Sequence, residues 1–478
     1  MNQYLKYITT LALLIMSSCQ GLLDKEPQNK ISLEETFQDF ASAKVALTGA
    51  YAQLFATEYY SGNRMLYPDI AAGNTKYSKI SNVRLYDAYN FNANSDDSEM
   101  NATYTYLYSV LNNVNNIIYY APGIPNGTKA GRDRLVAEAT ALRALIHFDL
   151  LLLFAQPYQF TADASHAGII LNLQPILIDQ SVRPRATVAE CYDRIEKDLT
   201  DAIELFESTT PIFAAGSVSN YLNINSAKAL LARLNLYKGD WQQAYDYASE
   251  VIGTNSFPLY TNAGYVNAWT QKNTSESIFE ISIPNAFTGV GLGNYYDITG
   301  ANVPASATQA AATNDLLELY TPSDVRNESN FYYQQSVAGV RYSFCRKYPT
   351  GGVQSTGVKV IRISEMYLVR AEAAAELGST ATALADLNTI VKRADTQASP
   401  ITATEKNMLI ERILLERRKE LNYEGFLLFD LSRRQKKLTR LDCNAITCGL
   451  EYPSNYFVLP IPSSTILVNP LMKQNPGY

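Results

Sequence analysis

Apolar side chains recur along most of this chain every three or four residues, the spacing that places them on one face of a helix. Residues 132–155 show it most clearly, with Leu135, Ala139, Leu142, Leu145, Ile146 and Leu150 in register and Pro157 as the stop. Residues 187–207 repeat it with Tyr192, Ile195, Leu199, Ile203 and Leu205. Thr187 and Glu190 form a capping box at that start, and Ser32 with Glu35 suggests another, opening a helix that runs to about Leu54. Helices are also expected over 104–120 and 405–422. Two tight helical hairpins are expected, 226–237 with 241–253 around Gly239-Asp240, and 363–377 with 380–394 around Gly378.

The hairpins share a register. Ala229, Ala232, Ala244 and Ala248 keep the helices close while Leu and Tyr fill the gaps, which matches tetratricopeptide spacing; Ala373, Gly378, Ala383 and Ala394 repeat the design. One such pair cannot bury its apolar face alone, so the pairs should stack. The expected fold is therefore mainly α, with about four helical pairs over 33–58, 104–155, 187–253 and 363–422. The pattern lapses over 59–103 and 255–350, which are rich in Tyr, Asn, Ser, Thr and Gly and read as a loop-rich cap. Within the second region Ile278 to Ile283 alternates like a strand. The tail from Tyr452 carries Pro453, Pro460, Pro462, Pro470 and Pro476 and reads as extended. No flexible Gly/Ser linker divides the chain, so residues 19–478 are expected to form one domain.

Composition narrows the function. A hydrophobic content of 47% with 18% charged residues describes a globular protein, and a net charge of −6 does not suit nucleic acid. There are 34 Tyr but only two His, His147 and His166, which removes most nucleophile–base and metal-site schemes; no cofactor and no metal is expected. His147 lies among Leu145, Ile146 and Phe148, the setting of a packed or capping histidine. Cys443 and Cys448 are close enough to pair in a loop, and Cys191 reads as a small buried hydrophobe. The first 18 residues carry one Lys, an apolar run from Ile8 to Met16 that is too short to span a bilayer, and Ser17-Ser18. They read as a signal peptide. Cys19 at the cut resembles the lipobox of bacterial lipoproteins, where the thiol takes a diacylglycerol; the plainer reading is an ordinary secreted chain.

Six segments in order carry a wider resemblance. They are Cys19-Gln-Gly-Leu-Leu-Asp24 with Pro27; Glu138 to Asp149 with Leu153-Phe154; Glu416-Arg-Arg-Lys-Glu-Leu421; Glu424-Gly-Phe-Leu-Leu-Phe-Asp430 with Arg433; Tyr456-Phe-Val-Leu-Pro-Ile-Pro462; and Asn469-Pro470 with Gln474-Asn-Pro-Gly-Tyr478. Together they resemble the SusD/RagB family of outer-membrane nutrient-binding lipoproteins over nearly the whole mature length. The resemblance implies a lid over a SusC-like TonB-dependent transporter, with the helical-repeat side facing that partner and irregular loops holding the ligand. Asp24-Lys25-Glu26 resembles the acidic signal that sends such lipoproteins to the outer face.

Candidate residues follow, each against a plainer role. Glu416, Glu420, Glu424 and Asp430 are the residue types of a glycosidase pair. Arg412, Arg417, Arg418 and Lys419 interleave with them, so a salt-bridged helix is preferred. Trp241 reads as a packing aromatic, and Trp269 as core or an exposed ligand contact. The tyrosine-rich loops hold the expected ligand-binding residues, since sugars need flat rings beside planar polar groups. These are Asp69, Asn74, Arg84, Tyr104, Tyr295 and Tyr296. Tyr104 stands where the family often has a Trp that contributes to its glycan platform. Packing of the loops onto the helices is the plainer reading for every one of these tyrosines. The expected function is non-enzymatic capture of an oligosaccharide at the cell surface. Peptide capture is the nearest alternative, with a surface glycoside hydrolase or a protein-interaction scaffold behind it.

Overall fold

The computed structural model describes residues 33–78, 83–176, 182–213, 215–282, 291–296, 310–349 and 357–478. The leader, Cys19 and Ser32 lie outside the described residues. The expected first helix is interrupted. After a turn at Leu33–Thr36 the chain extends at Asp39, whose carboxylate accepts from the Ser42 amide and starts α1, Phe40–Gln53. The remaining helices are α2 Asn63–Ala72, α3 Ser98–Tyr120, α4 Lys129–Phe154, α5 Val188–Glu207, α6 Ile224–Lys238, α7 Trp241–Gly253, α8 Ile363–Glu376, α9 Thr380–Ala394, α10 Lys406–Leu421, α11 Leu427–Arg433 and α12 Ser463–Val468. Several one-turn helices lie between them.

The mainly helical expectation is met. The α3 helix packs on α4, α4 on α5, α5 on α6, α6 on α7, α7 on α8, and α8 on both α9 and α10. The expected hairpin turns are present: Gly239 and Gly378 take φ of +80° and +81°, the left-handed cap that glycine adopts without strain. The Thr187–Glu190 capping box is formed in both directions. Helix α3 begins six residues before its expected start, because Asp97 accepts from the Glu99 and Met100 amides.

The two irregular regions depart further from expectation. Residues 59–103, expected to belong to a loop-rich cap, contain α2, in which every residue is buried. Its buried positions include Asn63, Arg64 and Asp69, each paired inside the protein, so polar residues mark no solvent face and no apolar periodicity reveals the helix. The described strands form four two-stranded antiparallel sheets: β1 Thr75–Tyr77 with β3 Ala310–Ala312; β2 Ser277–Ile281 with β6 Val358–Arg362; β4 Tyr332–Val337 with β5 Val340–Cys345; β7 Leu438–Thr439 with β8 Gly449–Leu450. The tail is not wholly extended, since α12 starts directly after Pro462, a position where proline obstructs no helical bond. Cys443 and Cys448 are joined, whereas Cys191 and Cys345 are buried and free.

A buried ionic seam joins the cap to the helices. Glu420 of α10 contacts Arg393 at 2.6 Å, Arg326 at 2.9 Å and Arg362 at 3.1 Å. Glu424 pairs with Lys347 and Arg362, Glu416 with Arg326, and Glu276 with Arg362 and Arg393. The surrounding cations hold Glu420 well below the usual carboxylate range despite its burial. The preferred salt-bridged reading of these carboxylates therefore holds, though as a core network rather than a solvated face. Trp269 is only 1% exposed, so of its two readings the core one holds. Its indole is flanked by Lys347, Arg362 and Lys359 at 4.6, 5.0 and 5.4 Å.

Candidate functional site

Strand β1 organises the surface of interest. Pleating sends alternate side chains to opposite faces. Tyr77 turns inward, and its hydroxyl donates to the Arg84 carbonyl. Arg84, only partly buried, donates from Nε to Asn63 Oδ1 at 2.6 Å, and its Nη1 lies 3.6 Å from Glu99 Oε1. Asn63 in turn donates to Thr103 Oγ1 at 2.7 Å, and Glu99 accepts from the Leu85 amide. Tyr295 belongs to the same group: burial pushes its hydroxyl up to about 12, with Arg84 pulling it down and Glu99 pushing it up. Burial likewise raises the Glu99 carboxyl, against the Leu85 amide and Arg84. A guanidinium, an amide, a carboxylate and a phenol ring thus meet where β1, α2 and α3 converge.

Lys76 faces the other way, over the Tyr342 ring at 5.6 Å, and Asp442 grips its ammonium at 2.6 Å. A pocket of about 240 Å³ opens there, lined among others by Lys76, Asn314, Glu328, Arg341, Tyr342 and Ser343. The disulfide-closed loop supports both sides of β1. Asp442 also accepts from the Asn314 amide at 2.8 Å, and Asn444 donates to the Tyr77 carbonyl at 2.6 Å.

Of the six expected contact residues, the structure leaves Arg84 part-exposed at this surface, with Tyr295 beside it but only 5% exposed. Asp69, Asn74 and Tyr296 lie beneath it, with at most 1% exposure. The physical reason is plain for Asp69. Its carboxylate accepts from the Tyr423 and Gly425 amides at 3.1 and 2.9 Å and from Asn74 at 2.6 Å, holding a turn in which both Tyr423 and Gly425 have positive φ. Burial pushes its carboxyl up to about 6, against those three hydrogen bonds. Asn74 also accepts from Arg418 at 2.9 Å, and Tyr296 packs between Tyr348 and Tyr423. Tyr104 lies apart, with its ring edge-on to Phe154 and beside Tyr108. Sequence reasoning missed Asn63, Glu99, Lys76, Arg341 and Tyr342. Only Glu99 carried a local signal, as an acid in the first turn of a helix capped by Asp97.

Comparison with known proteins agrees with this architecture. Residues 257–478 match the family model described as the SusD family, and residues 22–238 match one described as starch-binding associating with outer membrane. The chain belongs to the SusD family. A SusD-like protein of Formosa agariphila is 22% identical over 527 residues, an alignment covering 100% of this chain and 99% of that one. The crystal structure of a SusD superfamily protein from Bacteroides thetaiotaomicron superposes with a TM-score of 0.82 at 28% identity, over 92% of this chain and 100% of that one. A second, from Bacteroides vulgatus, gives 0.80 at 28% identity over 92% and 100%. The SusD fold thus accounts for both the helical stack and the interruptions in it. Among the described residues no helix is long and apolar enough to cross a membrane.

Proposed function

We propose that this SusD-family chain captures an oligosaccharide, without cleaving it, on the surface around β1. It then delivers the ligand to a SusC-like TonB-dependent transporter of the outer membrane. The observation that carries the reading is the part-exposed pair Arg84 and Glu99, held from below by the buried Asn63 and Tyr295. Planar donors and acceptors suit paired sugar hydroxyls. The match of the N-terminal half to a model described as starch-binding supports glycan over peptide. Asp69, Asn74 and Tyr296 act as supports that hold the turn under the surface. The acidic α10 helix offers little to a hydrolase, because Glu420 is wrapped by three arginines and held ionised. The tether is a lipid on Cys19, and the chain faces the cell exterior.

Glycan-array and peptide-pool binding by residues 20–478 tests the ligand class. Glycan binding is expected; peptide binding alone would replace the ligand, and binding to neither would sink the capture role. Arg84→Ala should weaken glycan binding roughly tenfold or more, the loss of charge-assisted hydrogen bonds, with an unchanged circular dichroism spectrum. Unchanged affinity in calorimetry would remove Arg84 from the site. Cys19→Ala should preserve binding and abolish uptake by cells; persisting uptake would refute the tethered-lid role.

A further inference from the structure

The charged side chains around β1 stand in matched pairs. On one side of the strand the Lys76 ammonium meets both carboxylate oxygens of Asp442, at 2.7 and 2.6 Å. On the other, Arg84 Nη1 lies 3.6 Å from Glu99 Oε1. In the pocket beside Lys76, Glu328 and Arg341 add one charge of each sign to the walls, and Glu328 accepts from the Ser343 hydroxyl. Three cations thus stand against three carboxylates. The Lys76 and Asp442 side chains are 17% and 22% exposed, open enough to meet a ligand and enclosed enough that salt screens them only in part.

Asp442 is held in place independently of Lys76. It accepts from the Asn314 amide at 2.8 Å, and the next residue, Cys443, is joined to Cys448. Inside the loop so closed, Asn444 donates to the Tyr77 carbonyl at 2.6 Å and the Ile446 amide donates to Asn90 Oδ1 at 2.8 Å, while β7 and β8 pair at its base. The carboxylate therefore reaches β1 from a loop that is fixed on its own account. An ammonium has three donors, and Asp442 takes two, which leaves one for the pocket. A sugar hydroxyl both donates and accepts, so a compensated pair satisfies it in both directions. A uronate or sulfate group only accepts. It gains that one donor and sits against the carboxylates of Asp442 and Glu328, a repulsion that Lys76 is already too well paired to offset.

Resting on the glycan-capture reading, we propose that Asp442 determines the charge selectivity of the β1 pocket. By neutralising Lys76 it selects uncharged sugar units and rejects those carrying a carboxylate or sulfate. It acts through the ammonium rather than through a bond to the sugar, so its signature is the ratio of two affinities and not either affinity alone.

The probes are malto-, cello- and manno-oligosaccharides, each beside its counterpart oxidised at C6 to the uronate, with affinities measured on the purified chain. The unaltered chain should bind a neutral member and bind its uronate counterpart at least tenfold more weakly. Asp442→Asn keeps the shape and an acceptor for the Asn314 amide. It should move the ratio at least tenfold toward the uronate, the effect of one charge-assisted hydrogen bond, and added NaCl should reverse that shift. Lys76→Met combined with Asp442→Asn removes both charges and should return the neutral preference. A merely structural role for Asp442 would lower both affinities together and leave their ratio alone, and that result overturns the proposal. Persistence of the uronate preference in the double variant overturns it too. A uronate bound as tightly as its neutral counterpart by the unaltered chain sinks the selectivity assignment while glycan capture stands. Binding of no member sinks glycan capture and the assignment with it.

Discussion

The interfaces within the helical stack and the seam beneath the cap are both buried, but opposite chemistries hold them. In the stack, α6, α7 and α8 meet through Ala229, Ala232, Ala244, Ala248, Ala373 and Ala374, none of which exposes any surface. Small side chains let helices approach, and the stabilisation comes from removing apolar area from water. At the seam, Arg326, Lys347, Arg362 and Arg393 are buried against Glu276, Glu416, Glu420 and Glu424. Desolvating so many charges is costly, and only complete pairing offsets it. The stack therefore tolerates variation in proportion to volume, whereas the seam depends on every partner being present. That difference suits a molecule whose cap must keep one fixed register on a repetitive support.

Glu420→Gln is the strongest break. It leaves Arg326, Arg362 and Arg393 facing a neutral amide in a site with no access to water. Loss of one partner of a buried pair costs about 3–5 kcal/mol. Urea unfolding should show a loss of that size, with the cap melting first as followed by Trp269 fluorescence. A loss below about 1 kcal/mol would mean that the seam is not held by its charges.

His147 sharpens the same comparison from the stack side. It is buried in α4 with both ring nitrogens unpartnered, and burial pushes its pKa down to about 3. Folding thus favours the neutral ring. Its stability contribution is complete above the unfolded pKa of about 6.5 and is lost as pH falls toward 3. Between pH 6.5 and 5 the loss approaches about 2 kcal/mol, at about 1.4 kcal/mol per pH unit. Thermal melting of His147→Leu should lack that part of the acid slope. Identical slopes in the two chains would show that the imidazole titrates normally.

The two regions were also unequally legible. Stack helices announced themselves because one apolar face repeats, and their turns carry Gly239 and Gly378 where a left-handed residue is required. The α2 helix did not, being buried all round. The seam could not be read either: Arg326 and Glu420 lie 94 residues apart, and Arg393 and Glu276 lie 117 apart. No local spacing encodes such pairs. The ligand surface shows the same limit. Arg84 and Tyr295 were identifiable as residue types, but Asp69 and Tyr296 looked equally suitable, and only the fold distinguishes the surface from its support.

The smallest effect expected is at Thr187, and it isolates what local signals contribute. Its hydroxyl accepts from the Glu190 amide at 3.2 Å, and Glu190 accepts from the Thr187 amide at 2.8 Å. The Thr187 hydroxyl bonds only within this box, so its removal should act on the start of α5. Thr187→Ala should cost about 1 kcal/mol in urea unfolding, the usual worth of an N-cap. Because α5 packs between α4 and α6, the loss should appear as a uniform shift of the whole transition. Selective fraying of α5 in hydrogen exchange, with the global midpoint unmoved, would show instead that the stack unfolds repeat by repeat. The contrast with the seam would then be one of cooperativity as well as chemistry.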